Sequence, residues 1–345
     1  MASPGLRNAL TDVEGLTVGN AEDQAVRTGV TVVLADRPMV ASVDVRGAAP
    51  GTRDTDLLCP SRVSAGVDAL VFSGGSEFGL EAASGVCAVL STHGRGVEAG
   101  PVPIPIVPSA ILFDLAFGGD KAWGTTPPYR DLGIRALEAA GPDFALGNSG
   151  AGLGAKAGGL KGGLGTASIV DPITGATVAA LTAANPHGSA VIPGSDTLWA
   201  WTLEQNGELG GQSAPAGPIS PDADAGFQSP LAKIGANTIL GVVATDADLS
   251  KAEAHRLAVM AHDGFARAVR PSHSPFDGDA LFALATGSLP IGGDDRPRKL
   301  GRLGTFGADV VARSIARAVY EAESLGQFRS YRSVHGAGLR AGKNG

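Results

Sequence analysis

One residue pair in this chain is suited to acyl chemistry on its own backbone. Asn237-Thr238 stands directly before the apolar run Ile239-Leu240-Gly241-Val242-Val243-Ala244-Thr245. A threonine hydroxyl reaches the carbonyl carbon of its own preceding peptide bond through a five-membered ring. Attack there converts amide to ester, and water hydrolyses the ester. The product is an N-terminal threonine carrying a hydroxyl and an α-amine. That amine titrates at about 7.7 to 8.0, so at neutral pH a fraction of it can act as general base for the adjacent hydroxyl. Alone, the dipeptide also reads as a turn entering a strand, because Asn favours turns and Thr favours strands. Its context has to decide.

Other groups in the chain carry matching chemistry. Asp277 and Asp279 flank Gly278 just before the apolar Ala280-Leu281-Phe282-Ala283-Leu284-Ala285. Their mutual repulsion raises one pKa, and the pair can orient or charge-balance an ammonium group such as a newly freed Thr238 terminus. A polar turn and a cation-binding loop are the other readings of the same residues. Asn185, in Asn185-Pro186-His187-Gly188, is a turn former before proline. It is also an amide able to donate to a developing oxyanion, a contact worth about 3 to 4 kcal/mol where one has been removed.

Residues 147–165 are the most glycine-dense part of the chain. Gly150-Ala151-Gly152-Leu153-Gly154-Ala155 satisfies the alanine form of the dinucleotide fingerprint, with Asp171 placed as its acidic residue. A non-hydrolytic nucleotide-binding protein is therefore a distant alternative. That motif must open a helix, however, and Gly158, Gly159, Gly162 and Gly163 make one costly at roughly 1 kcal/mol each relative to Ala. A loop approaching the substrate or the nucleophile is the preferred reading, with Gly150 and Gly152 as candidate substrate contacts. Ser73-Gly74-Gly75-Ser76 could hold an anion at a helix N-terminus or simply reverse the chain; no lysine follows in a phosphate-loop arrangement.

The elements that must position these groups are partly legible. Val30-Thr31-Val32-Val33-Leu34 and Val67-Asp68-Ala69-Leu70-Val71-Phe72 are strand-like, and strand material continues through Val107 to Asp114. Residues 78–90 read as a helix with Ser76 as N-cap, and 129–140 as a short helix stopped by Gly141-Pro142. Strands are expected over 178–183 and 189–192, on either side of Asn185. Residues 206–229 are rich in Gly, Pro, Ser, Asp and Ala and read as a loose tail leading to Asn237. After Thr238 come a buried strand, a helix opened by the capping box Ser250-Lys251-Ala252-Glu253 and running to Ala268, and an amphipathic helix over 309–325. His255 and His262 on the first of these helices read as exposed or packing residues rather than metal ligands.

Composition limits the partners. The 345 residues carry a formal net charge of -7, with 43% hydrophobic and 18% charged residues, as in a soluble globular protein. Nucleic acid and anionic membranes both need a concentrated basic surface, so small peptides or amide oligomers fit better. The 51 glycines are about twice average usage and imply many tight turns and close backbone approaches. Cys59 and Cys87 make no disulfide framework and have no metal-ligand spacing, which suits buried thiols in a reducing, cytoplasmic compartment. No secretory signal is evident at the N-terminus, and the apolar stretch 101–117 is too short and too proline-interrupted to span a bilayer.

Taken together, Asn8-Ala9-Leu10-Thr11-Asp12-Val13, Ser73-Gly74-Gly75-Ser76-Glu77-Phe78-Gly79-Leu80-Glu81-Ala82-Ala83, Gly150-Ala151-Gly152, Lys161-Gly162-Gly163-Leu164-Gly165-Thr166-Ala167-Ser168, Asn185-Pro186, Asn237-Thr238 and Asp277-Gly278-Asp279 resemble the DmpA-type peptidases. This family includes L-aminopeptidase/D-esterases, β-peptidyl aminopeptidases and the nylon-oligomer (6-aminohexanoate) hydrolases. The likeness implies a single α/β domain, an αββα sandwich of the N-terminal-nucleophile type, autocleaved into residues 1–237 and 238–345 that stay associated, commonly as a tetramer of such pairs. It implies Thr238 as nucleophile and amine base, Asn185 as oxyanion partner, and Asp277 and Asp279 as the acidic pair, with no metal or organic cofactor. Threonine with Asp-Gly-Asp looks most like the nylon-hydrolase branch. Where that branch has a lysine late in the glycine-rich segment, Gly159 falls in register, and Lys156 is the nominated substitute. Phe113 stands where a pocket tyrosine is expected. An acyltransferase of the ornithine acetyltransferase type is the nearest alternative.

Overall fold

The computed structural model describes residues 1–64, 66–219 and 236–339. In chain order the elements are β1 (Leu16–Asp23), β2 (Thr28–Val45), β3 (Gly51–Arg53), β4 (Val67–Ser73), α1 (Glu81–Thr92), β5 (Ser109–Ile111), α2 (Tyr129–Glu138), β6 (Lys156–Ala157), β7 (Leu160–Lys161), β8 (Gly163–Val170) and β9 (Thr177–Asn185). They continue with β10 (Thr238–Ala247), α3 (Lys251–Ala261), α4 (Asp263–Ala268), β11 (Ala280–Leu289), α5 (Arg296–Glu321) and α6 (Tyr331–Leu339).

The long strand β2 ties the architecture together. Its first part pairs antiparallel with β1 and β4, and residues 40–45 pair antiparallel with β11. The strand path β3-β5-β4-β2-β11-β10-β9-β8, with β1 on β2, thus forms two leaves that share β2. Side chains from both leaves meet between them, among them Leu70 and Phe72 from β4, Leu240 and Val242 from β10, and Phe282 from β11. Phe72 and Phe282 lie with ring centroids 6.0 Å apart.

The outer faces are covered by helices. Val30, Val32 and Val71 pack under α1 and α2 with Val86 and Leu132. Ile239, Val243 and Leu281 pack under α3, α4 and α5 with Leu257, Phe265 and Ile315. Strand β10 shows the logic at residue level: Leu240, Val242 and Ala244 point between the leaves, and Ile239 and Val243 point to the helices. Side chains alternate along a strand, so a strand covered on both faces is apolar at every position. The layers are helix, sheet, sheet, helix, as the resemblance implies.

Close approach accounts for part of the glycine excess. A Cβ on Gly165 would sit 2.1 Å from the carbonyl oxygen of Ser314, so α5 can lie on β8 only because no side chain intervenes. Several expectations are revised. Residues 189–192 make only isolated bridges, Ser189 to Arg270 and Val191 to Leu198, because the chain after Asn185-Pro186 leaves the sheet. Ser76 does not cap α1; it sits at φ 51 in a short 3-10 turn, Ser76–Leu80, that precedes the helix. The helix after Ser250 has its capping box but breaks at His262 into α3 and α4. Helix α5 begins at Arg296, earlier than its apolar stripe indicated. The expected loose tail is anchored at its start, where Leu209 is fully buried and Glu208 pairs with Arg313; residues 220–235 lie outside the described residues.

Candidate active site

Topology explains why distant motifs converge. Strands β10 and β11 run parallel, and β9 runs antiparallel to β10. The N-terminal ends of β10 and β11 and the C-terminal end of β9 therefore meet at one edge. Thr238, first in β10, is paired with Asn185, last in β9. Asn237 bridges Asp277 in the parallel direction. Asn185, Asn237, Asp277 and Asp279 are 1% exposed or less, and Thr238 is 3% exposed.

The Asn237–Thr238 bond is intact in this structure, and its carbonyl oxygen has two donors. The Thr238 hydroxyl donates to it, and the Gly278 amide donates from 2.9 Å. Glycine is required at 278: a Cβ there would lie 2.5 Å from the Ala49 carbonyl oxygen and 2.9 Å from Thr238 Oγ1. The bond is thus held by groups from both of the parallel strand ends.

The carboxylates flank this bond. Asp279 Oδ1 accepts the Ile239 amide at 2.7 Å, the first amide after the nucleophile. Its Oδ2 accepts His273 Nδ1 at 2.8 Å and the His273 amide at 3.2 Å. Asp277 Oδ1 accepts the His187 amide at 2.9 Å, and its Oδ2 accepts the Ser274 amide at 3.0 Å together with the Ser274 hydroxyl. Burial, reinforced by the charge of Asp279, pushes the Asp277 carboxyl above the usual range.

Lys156 enters from the β6–β7 hairpin. Its backbone amide donates to Asn185 Oδ1 at 3.0 Å, and its Nζ donates to Asn237 Oδ1 at 2.5 Å. Burial draws its ammonium down to about 8, with Asp277 partly offsetting the effect. An amine near 8 passes protons readily at neutral pH. The Phe117 ring lies 5.6 Å from the Nζ. Burial and the Lys156 charge also lower the His187 imidazole, whose ring lies 4.9 Å from that of Phe276.

The structure therefore brings Thr238, Asn237, Asn185, Asp277, Asp279 and Lys156 together. Phe113 joins through its backbone: Asn185 Nδ2 donates to its carbonyl at 3.1 Å, and its ring packs edge-on to Phe117. Gly150 and Gly152 make none of these contacts. They form a 3-10 turn in which the Gly150 amide donates to Glu22 at 2.5 Å and the Gly152 carbonyl accepts Lys161 Nζ at 2.9 Å, so their contacts are with β1, β7 and β8. No helix opens there, and Asp171 is committed to Arg302 at 2.6 and 3.0 Å. The dinucleotide reading is overturned on both counts.

The sequence reading missed the Gly278 amide, His273, Ser274 and the backbone of His187. Only Ser274 left a recognisable signal, its i, i+3 spacing from Asp277, a side-chain-to-backbone turn pattern. Among the described residues, no three or more His, Cys, Asp or Glu side chains are grouped to hold a metal, and no helix is long and apolar enough to cross a membrane.

Comparison with known proteins bears on the family and the fold. The model of peptidase family S58 matches residues 8–332. An uncharacterized aminopeptidase of Mycobacterium tuberculosis is 41% identical, with 95% of this chain and 98% of the relative covered. A 6-aminohexanoate-oligomer endohydrolase of Kocuria sp. is 27% identical, with 84% and 78% covered. Among solved structures, a Burkholderia sp. beta-aminopeptidase matches with TM-score 0.70 at 24% identity, covering 100% of this chain and 96% of that one. The L-aminopeptidase D-Ala-esterase/amidase of Ochrobactrum anthropi, described as a new variant among the Ntn-hydrolase fold, matches with TM-score 0.69 at 20% identity over 100% and 97%. The fold is thus that of the Ntn-hydrolase variant, and the chain belongs to peptidase family S58, hydrolases of peptide or amide bonds.

Proposed function

We propose that this chain cuts itself between Asn237 and Thr238 and then hydrolyses peptide-like amides through an acyl ester on Thr238. The observation that carries the reading is the shared carbonyl: the Thr238 hydroxyl and the Gly278 amide both bond to the Asn237 oxygen. In the first step the hydroxyl oxygen bonds to the Asn237 carbonyl carbon and the carbon–nitrogen bond breaks. The hydroxyl proton passes by way of a base to the departing nitrogen, which becomes the α-amine. The Gly278 amide faces the oxygen on which negative charge develops. Water then cleaves the ester, leaving an Asn237 carboxylate and a free Thr238 hydroxyl. In turnover the α-amine takes the hydroxyl proton as Thr238 attacks the substrate carbonyl, and returns it to the leaving amine.

Electrostatics support the same order of events. Before the cut, Asp277 and Asp279 are both buried, and the described cationisable partners at this site are Lys156 and His273. A new ammonium at Thr238 supplies the charge that two buried carboxylates call for.

Short peptides with a free N-terminus are the first substrates to try, since the relatives at 41% identity bear the aminopeptidase name. Oligomers of 6-aminohexanoate are the second, from the relatives at 27%. Assembly of cleaved pairs into a homo-oligomer belongs to the same proposal, to be read by light scattering. The decisive experiment is denaturing electrophoresis with intact mass on the purified protein. Two fragments, 1–237 and 238–345 with an N-terminal Thr, are expected; Thr238→Ala should stay whole, folded and inactive. A wild-type chain that stays whole, or amidase activity in Thr238→Ala, overturns the reading.

A further inference from the structure

We propose that His273 is a positioning residue for both the self-cleavage and the hydrolytic reaction, acting by clamping Asp279 against the backbone of the nucleophile strand. The inference rests on Thr238 being the nucleophile. Asp279 has one oxygen on the Ile239 amide at 2.7 Å and the other on His273. The carboxylate is therefore a bridge, with the nucleophile's own strand at one end and the imidazole at the other. An ionised carboxylate only accepts hydrogen bonds, so Nδ1 carries the proton in this contact. Whatever orients the imidazole orients Asp279, and through it the strand backbone that presents Thr238.

The orientation of His273 is built in. Its φ of 54 lies in the left-handed region, which is uncommon for a residue with a Cβ and clusters at functional sites. In this conformation its amide and Nδ1 both reach the same Asp279 oxygen, at 3.2 and 2.8 Å. The ring is set from its other side as well. His262, at the α3–α4 break, meets it edge-on with centroids 4.6 Å apart, and Phe265 lies 5.5 Å away.

His262 is in turn fixed by Asp44 at 3.1 Å, and Asp44 by Arg46 at 2.7 Å. The Arg46 and Gly47 amides return to the Asp279 backbone carbonyl at 3.1 and 3.0 Å. The charged and titratable groups around His273 are thus Asp279 on its own loop, His262 from the helix break, and Asp44 with Arg46 behind His262 from β2 and the turn after it. Asp277 lies across Gly278. Burial lowers the His262 imidazole below its ordinary range, with the Asp44 contact opposing the effect and the neighbouring His273 adding to it.

Two substitutions separate positioning from packing. His273→Phe keeps a ring against His262 and Phe265 but removes the donor, whereas His273→Asn places an amide N–H where Nδ1 was. In the uncut Thr238→Ala background, hydrogen exchange at the Ile239 amide reads the clamp without any catalysis. The Phe variant should lose protection there by roughly tenfold and the Asn variant should keep it. In the active background, the Phe variant should slow self-cleavage and kcat by roughly 10- to 100-fold with little change in KM. The Asn variant should recover most of the rate. Wild-type rates in His273→Phe, or equal losses of Ile239 protection in the two folded variants, overturn the proposal. Failure of the Thr238 assignment would appear separately, as activity in Thr238→Ala.

Discussion

At the scale of single residues, the site is a question of where protons and negative charge go. Before the cut there is no α-amine at Thr238, so the base for self-cleavage must come from elsewhere. Lys156 is held on Asn237 with its ammonium drawn to about 8. The deprotonated fraction grows as pH rises through that value, and self-cleavage should accelerate from pH 6 to 9 and then level off. Burial and the Asp279 charge push the Asp277 carboxyl up, so the Lys156 variant is what assigns the limb. Lys156→Arg, which cannot lose its proton, should process slowly and without the limb, as followed by electrophoresis of precursor over time; an unchanged profile removes Lys156 from the role of base. The lowered lysine also makes a stability claim. Its folded pKa lies below the unfolded value, so the unfolded chain binds more protons between about 8 and 10.4, and stability should rise with pH across that window by at most about 3 kcal/mol. Gly278 gives a sharper test. In Gly278→Ala a methyl would meet the Ala49 carbonyl at 2.5 Å and crowd Thr238 Oγ1. The donor to the scissile oxygen would then shift, and processing should fall by roughly 100-fold or more, as for loss of an oxyanion donor.

At the scale of elements, legibility followed periodicity. Strand β10 was readable because it is apolar without a break from Ile239 to Ala244, and α3 because Ser250 and Glu253 form a reciprocal cap seen in the structure. The length of β2 was hidden by Asp36, Arg37 and Pro38 in its middle, three residues that break an apolar pattern while the backbone continues as strand. The start of α5 was hidden by Gly301, Gly304 and Gly307, which look like breakers, though the last two allow close approach: a Cβ on Gly304 would meet Met260 Sδ at 2.4 Å. His273 left no local signal, because its role depends on a carboxylate six residues on and on a histidine from another element. The glycine-dense segment was read as a loop approaching the substrate or the nucleophile; its Lys156 does reach Asn237, while Gly147, Gly163 and Gly165 are packing surface for α5. Gly165→Ala should therefore push α5 from β8, costing about 1 to 3 kcal/mol as overpacking does, measurable by urea denaturation. Thr238 chemistry should persist wherever the variant folds.

At the scale of the whole molecule, the proposed cut divides a single sheet without separating its halves. Residues 1–237 would supply β2 and β9, residues 238–345 would supply β10 and β11, and these strands pair across the division, β10 with β9 and β11 with β2. Helix α5 adds a second connection. Arg313 binds Glu208 at 2.5 and 2.9 Å, Asn8 Oδ1 at 2.9 Å and the Ser168 carbonyl at 2.9 Å. The Arg313 and Glu208 side chains are only 1% and 6% exposed. Asn8 and Ser168 belong to motifs that carried the family resemblance, and their place here is in joining the two halves. Removing one partner of a buried pair leaves an uncompensated charge and costs about 3 to 5 kcal/mol, whereas replacing both by apolar residues is often nearly neutral. Glu208→Ala should accordingly weaken the cleaved protein strongly in urea, and Glu208→Leu with Arg313→Met should recover most of the loss. In both variants the fragments should co-elute on gel filtration in native buffer and separate only in denaturant, because the inter-strand pairing remains. If Glu208→Ala instead releases 238–345 without denaturant, then the ion pair rather than the shared sheet is what holds the two chains together.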